Sequence, residues 1–144
     1  MTHFKVFFDA DVLAAGSASQ TGASFTLLHL AELGFLHAVT CRQVIDECRR
    51  NFQEKLPDAL PVFEQILART LTVYQNPKNA NLNGYQTMAH PKDRPILASA
   101  VLHRADALLT FNLKHFYPDA SAAIQICKPA DFLHEVRKKI DSMI

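Results

Sequence analysis

The sequence predicts an α/β fold, a three-layer α/β/α sandwich around a central, mostly parallel sheet of about five strands. Three observations predict it. Short, nearly unbroken apolar runs read as strands covered on both faces, amphipathic stretches at helical spacing separate them, and the two kinds of segment alternate along the chain. Such alternation implies right-handed crossovers, which place helices on both faces of a parallel sheet. A chain of 144 residues, 49% hydrophobic and 20% charged, suits one domain spanning 1–144 and excludes disordered, collagen-like and low-complexity classes.

The first run, Phe4 to Phe8, is β-rich and leads directly into Asp9 and Asp11. A Gly/Ser/Ala/Thr-rich loop over 16–24 follows. Phe25, Leu27, Leu28, Leu30, Ala31 and Leu33 then make a helix that stops at Gly34, the residue type favoured just past a helix end. Phe35 to Val39 is a short apolar piece. Thr40 with Gln43 reads as a capping box ahead of Val44, Ile45, Cys48 and Phe52, which repeat at helical spacing. A further helix starts near Pro57 or Pro61 and runs to Arg69, ahead of the strand-like LTVY at 71–74. Residues 75–91 form the one long loop, of the kind that is functional or mobile in a compact domain. Pro95 then opens a helix with Ile96, Leu97, Ala100 and Val101 on its buried side; Asp106 to Phe111 and Ala123 to Cys127 read as strands. The last helix starts at Pro129 and carries Arg137, Lys138 and Lys139 near its end, a solvated basic face that suits the helix dipole.

Fifteen basic residues against fourteen acidic ones give a net charge of +1, so the summed field does not announce a nucleic-acid partner, and any polyanion must be held locally. The cysteines Cys41, Cys48 and Cys127 lie in apolar stretches without metal-binding spacing, which suits buried thiols in a reducing compartment. Lys5, Asp9 and Asp11 interrupt the first apolar run, so neither a signal-peptide core nor a membrane span is expected, and the expected location is the cytoplasm.

Ligands of open α/β sheets gather beyond the carboxyl ends of the strands. Asp9 and Asp11 stand at one such end and Asn112 at another. Phosphodiester hydrolysis needs a divalent cation, and Mg²⁺ or Mn²⁺ prefers carboxylate oxygens, so several acids must meet in one cleft. Glu47 and Asp93 complete the set of candidates. Each residue alone also has a plain structural reading. Asp9 suits a turn, Asp93 suits a helix cap, and Glu47 lies roughly 120° from the centre of its helix's apolar face, where periodicity does not prefer it over Asp46.

Together these residues resemble the PIN domain, the metal-dependent nuclease fold of many VapC-like toxin ribonucleases. VFFDADVL matches the family's opening strand and acids, VIDEC its early glutamate at Glu47, KDRPILASAVLHRADALLT its central-helix acid at Asp93, and TFNLKHF its late segment at Thr110 and Asn112. LTFNLKHF with HPKDRPILASA most resembles a subgroup of toxin nucleases in which an Asp is common where this chain has His115. The resemblance implies a Mg²⁺- or Mn²⁺-dependent endoribonuclease, the toxin of a toxin–antitoxin pair. It implies Asp9, Glu47 and Asp93 as metal-binding carboxylates, Asp11 as a close fourth acid or a group that orients the ligands, and Thr110 as the residue orienting a ligand or water. Asn112 would be a neutral ligand or hydrogen-bonding group. RNA contacts would come from Lys92, Arg94 and Lys114, with Arg42 further off. An antitoxin would cover the cleft, the fold would pair as a homodimer, and no membrane is involved. The histidines carry no zinc spacing and are left out of the chemistry, with His115 placed near a phosphate. Two rivals stay open. DxDxV after a strand is also the nucleophile signature of haloacid-dehalogenase-like phosphatases, although no acid pair follows the strand LLTF; and Asn112 with His115 suits a degenerate fold that only binds RNA or protein.

Overall fold

The computed structural model describes residues 4–144. Five parallel strands form one sheet in the order β3-β2-β1-β4-β5: β1 (Phe4–Phe8), β2 (Leu36–Cys41), β3 (Thr72–Tyr74), β4 (Ala107–Leu109) and β5 (Gln125–Cys127). The central strand β1 pairs with β2 from Phe4↔Leu36 to Phe7↔Val39 and with β4 from Val6↔Ala107 to Phe8↔Leu109. Its Val6, Phe7 and Phe8 have no exposed surface, which is why the run is apolar at successive positions.

The chain winds from β1 outward to β3, then returns to the other side of β1 for β4 and β5. Right-handed crossovers therefore put α1 (Ala10–Ala18), α2 (Ala23–Glu32), α3 (Arg42–Lys55) and α4 (Leu60–Thr70) on one face and α5 (Arg94–Leu102) on the other. The packing agrees: α1 lies against α2, α3 and α4, and α2 against α6 (Pro129–Ser142), whereas α5 lies on β2, β4 and the 3₁₀ turn Asn79–Tyr85. Reversal of winding direction at β1 opens a crevice beyond the carboxyl ends of β1 and β4.

Four expectations change. Residues 10–18 are helical, so the loop expected over 16–24 shrinks to a short link before α2. Gly16 marks close packing instead of a turn, because a Cβ there would come within 2.6 Å of Leu28 Cδ1 on α2. The capping box at Thr40 is absent: β2 runs through Cys41, the Thr40 hydroxyl donates to the Phe8 carbonyl at 2.9 Å, and the Gln43 N–H donates to Asn76 Oδ1 at 2.7 Å. Asp93 precedes α5 without capping it through its side chain. The long loop is partly ordered by the turns Asn79–Tyr85 and Pro91–Asp93. All three cysteines are buried free thiols, and among the described residues no helix is long and apolar enough to cross a membrane.

Candidate functional site

Asp9 is the first residue beyond β1 and the N-cap of α1. Its Oδ1 accepts the Ala10 N–H at 2.8 Å, as an N-cap carboxylate does, and its Oδ2 accepts the Thr110 hydroxyl at 2.9 Å. Thr110 follows β4 and is fully buried; its Oγ1 also accepts the Asn112 N–H at 3.1 Å. One hydroxyl thus fixes both the acid at the end of β1 and the turn after β4.

Asp11 lies in the first turn of α1. Its Oδ2 accepts the Phe111 N–H at 2.9 Å and the Asn112 side-chain amide at 3.3 Å. Asn112 therefore acts here as a hydrogen-bond donor to an acid. The other oxygen of Asp11, Oδ1, is buried and has no hydrogen-bond partner among the described residues. A buried carboxylate oxygen left bare carries a substantial desolvation penalty, which a cation in contact with it would relieve.

Glu47 projects from α3, whose register is tied to α1 by the Cys48 thiol donating to the Ala10 carbonyl at 3.6 Å. Its side chain is 24% exposed, whereas that of Asp46 is 50% exposed and pairs with Arg42. The structure thus separates two acids that periodicity could not. Asp93 ends the Pro91–Asp93 turn, is buried, and places Oδ2 3.0 Å from His115 Nδ1.

These acids line one cleft of about 150 Å³, together with Ala10, Ala14, Asn51, Lys92, Asn112 and His115. Their charges act on one another. Burial lifts the Asp9 carboxyl from an ordinary 3.8 to about 7; the Asp11 charge and, more weakly, that of Asp93 add to the rise, against the bonds from Ala10 and Thr110. Burial also raises Asp11, with Glu47 contributing, although the Phe111 and Val12 N–H groups and the Thr110 hydroxyl oppose it. The Cys48 thiol, beside the same acids, is pushed up to about 12 by burial first and then by Glu47, Asp9 and Asp11. Crowded, partly desolvated carboxylates of this kind suit a hard divalent cation.

Of the expected basic contacts, Lys92 lies at the cleft, with Nζ 3.7 Å from Glu47 Oε1. Arg94 instead turns its Nε to the Ala89 carbonyl, Lys114 is exposed outside the cleft lining, and Arg42 lies by Tyr74 and Asn76 in a separate depression. No acid pair follows β4, where a phosphatase of the rival kind would place its magnesium-binding acids. From sequence, His90 and His115 adjoin the site with no metal role, His115 being expected near a phosphate. In the structure their rings stack, with centroids 4.3 Å apart, beside Asp93.

A family model described as the PIN domain matches residues 5–114, which include Asp9, Asp11, Glu47, Asp93, Thr110 and Asn112. A stretch of 46 residues is 52% identical to VapC50 of Mycobacterium tuberculosis, named as a candidate ribonuclease; the match spans 31% of this chain and 27% of that protein. Among solved structures, VapBC2 from Rickettsia felis, bound to a DNA fragment from their promoter, superposes with a TM-score of 0.64 at 12% identity, covering 85% of this chain and 97% of that one. A likeness at that identity speaks for the fold.

Proposed function

The chain belongs to the PIN domain family, and from that premise we propose that it is a divalent-metal-dependent endoribonuclease, the toxin of a toxin–antitoxin pair. The observation that carries this reading is the meeting of Asp9, Asp11, Glu47 and Asp93 in the lining of one cleft, with Asp11 keeping a buried carboxylate oxygen that has no hydrogen-bond partner among the described residues. Those four residues would hold Mg²⁺ or Mn²⁺. When bound, the cation supplies Lewis acidity and eases ionisation of a water at neutral pH.

The chain's own residues supply position and charge. Thr110 holds Asp9 by its Oδ2, and Asn112 with the Phe111 N–H holds Asp11 by its Oδ2, so both carboxylates meet a cation in fixed orientation. Lys92, 77% exposed at the rim, draws the phosphate backbone toward the cleft, which offsets the repulsion between RNA and the acids. The likeness to VapBC2 of R. felis supports an antitoxin partner; that partner would cover this cleft, and the chain would pair with a second copy of itself.

The test is cleavage of single-stranded and structured RNA with Mg²⁺ or Mn²⁺, with and without chelator, in the wild type and in Asp9→Asn, Glu47→Gln and Asp93→Asn. Metal-dependent cleavage lost in each folded variant is the expected result. Tight Mn²⁺ binding without cleavage by the wild type would instead support a module that only binds.

A further inference from the structure

Beside the acidic cleft, two loop ends far apart in sequence are joined by an isolated antiparallel bridge between Ala89 and Phe116. The His90 N–H donates to the His115 carbonyl at 3.0 Å, and the Tyr117 N–H to the Met88 carbonyl at 2.7 Å. Ala89 and Phe116, both buried, anchor the two segments in the core. In such a ladder directly opposed residues present their side chains on the same side, and His90 and His115 stack with ring planes 16° apart. Asp93 is placed against them by the Pro91–Asp93 turn, in which its N–H donates to the His90 carbonyl at 2.9 Å. One donor atom from each of His90, Asp93 and His115 lies within 4.8 Å of the others.

We propose that His90, Asp93 and His115 form a second divalent-cation site whose imidazole donors select a Zn²⁺-type transition metal ion over Mg²⁺. An ion with bonds of about 2.0–2.2 Å in a tetrahedron spaces its ligands about 3.3–3.6 Å apart, so the exposed His90 ring closes the remaining gap by rotation. Imidazole nitrogens suit zinc and its neighbours, whereas Mg²⁺ demands oxygen ligands in near-ideal octahedral geometry. Two histidines and one carboxylate leave the outer side of the site open to solvent, as three-ligand zinc sites do. Asp93 also lines the acidic cleft, so a cation at either place alters the affinity of the other, and by the same factor in both directions. The site rests on the histidine pair and not on the nuclease reading, and the two fail separately.

The experiment is calorimetric titration of metal-stripped protein with Zn²⁺ and, separately, with Mn²⁺, in the wild type, His90→Ala, His115→Asn and Asp9→Asn. The His90 ring is exposed and the His115 ring is half-buried against Asp93, so far-UV spectra of both variants should match the wild type, with the urea midpoint unchanged in His90→Ala and lowered only slightly in His115→Asn, whose amide still reaches toward Asp93. His90→Ala and His115→Asn should each weaken Zn²⁺ binding about tenfold or more, a loss of the size expected when a metal site loses part of its shell. Asp9→Asn should retain Zn²⁺ binding while weakening Mn²⁺. In the wild type, imidazole ring resonances of both histidines should shift with the first equivalent of Zn²⁺. A loss under about threefold in either histidine variant, or Zn²⁺ binding that falls equally in Asp9→Asn, overturns the site. Unaltered Mn²⁺ binding in Asp9→Asn, with Zn²⁺ binding lost in the histidine variants, would overturn the acidic metal centre alone.

Discussion

Replacing Asp9 by Asn should make the metal-free protein more stable, increasingly so as pH rises. Asp9 is 6% exposed, and its carboxyl is displaced from 3.8 to about 7, chiefly by burial and then by Asp11. At about 1.4 kcal/mol per tenfold, ionised Asp9 destabilises the fold by about 4 kcal/mol relative to a solvated carboxylate. The folded state holds the proton more tightly than the unfolded chain does. Stability from this group is therefore greatest below pH 4 and is lost as pH climbs to about 7, the reverse of a salt-bridged acid. Asn keeps the shape and removes the titration, but only one of its two positions can accept the bonds that Ala10 and Thr110 now give, which costs about 1 kcal/mol. The net gain at pH 8 is then about 1–3 kcal/mol, or a melting temperature higher by roughly 3 °C for each kcal/mol in a chain of this size. Between pH 5 and pH 8 the advantage of the variant over the wild type should grow by about 2–3 kcal/mol. Urea denaturation in chelator across that range measures it. A variant less stable than the wild type at pH 8, or a difference flat from pH 5 to pH 8, would refute the picture of a desolvated, crowded carboxylate.

Thr110→Val removes both the donor to Asp9 and the acceptor for the Asn112 N–H, and should destabilise the fold by about 1–3 kcal/mol in urea melts. Asn112→Asp trades a donor to Asp11 for a like charge; calorimetry should show tighter Mn²⁺ binding, and apo stability at pH 8 should fall by about 1 kcal/mol. Lys92→Ala removes the cation nearest Glu47, so Mn²⁺ binding should tighten by about twofold to fivefold while RNA binding weakens, its salt slope falling by roughly one. Thr40→Val leaves the Phe8 carbonyl without its hydroxyl donor and should destabilise by about 1–3 kcal/mol with Mn²⁺ affinity of the folded protein unchanged.

The sheet was legible because β1 and β4 are buried on both faces, and that condition writes itself into sequence as continuous apolar runs. Asp9 and Asp93 were legible for a related reason: charged residues adjoining buried segments need an explanation. Helix α1 was not, since Gly16, Ser17 and Ala18 look like a loop until Leu28 is seen packing against the glycine. Thr40 misled because a β-branched hydroxyl residue before a helix can cap it or extend the strand, and the partner that decides, the Phe8 carbonyl, is distant in sequence. Glu47 became distinguishable from Asp46 only through its burial in the cleft beside Lys92, while Asp46 stays exposed and pairs with Arg42 on its own helix. The pairing of His90 with His115 depends on a bridge between two loops, and no local periodicity encodes it.

The most direct measurement is anomalous scattering from crystals soaked in Mn²⁺. The predicted result is a peak in the cleft at about 2.2 Å from carboxylate oxygens of Asp9 and Asp93, with Asp11 and Glu47 facing it directly or through water. A well-occupied ion elsewhere, with that cleft empty and its carboxylates turned apart, would contradict the metal-dependent nuclease.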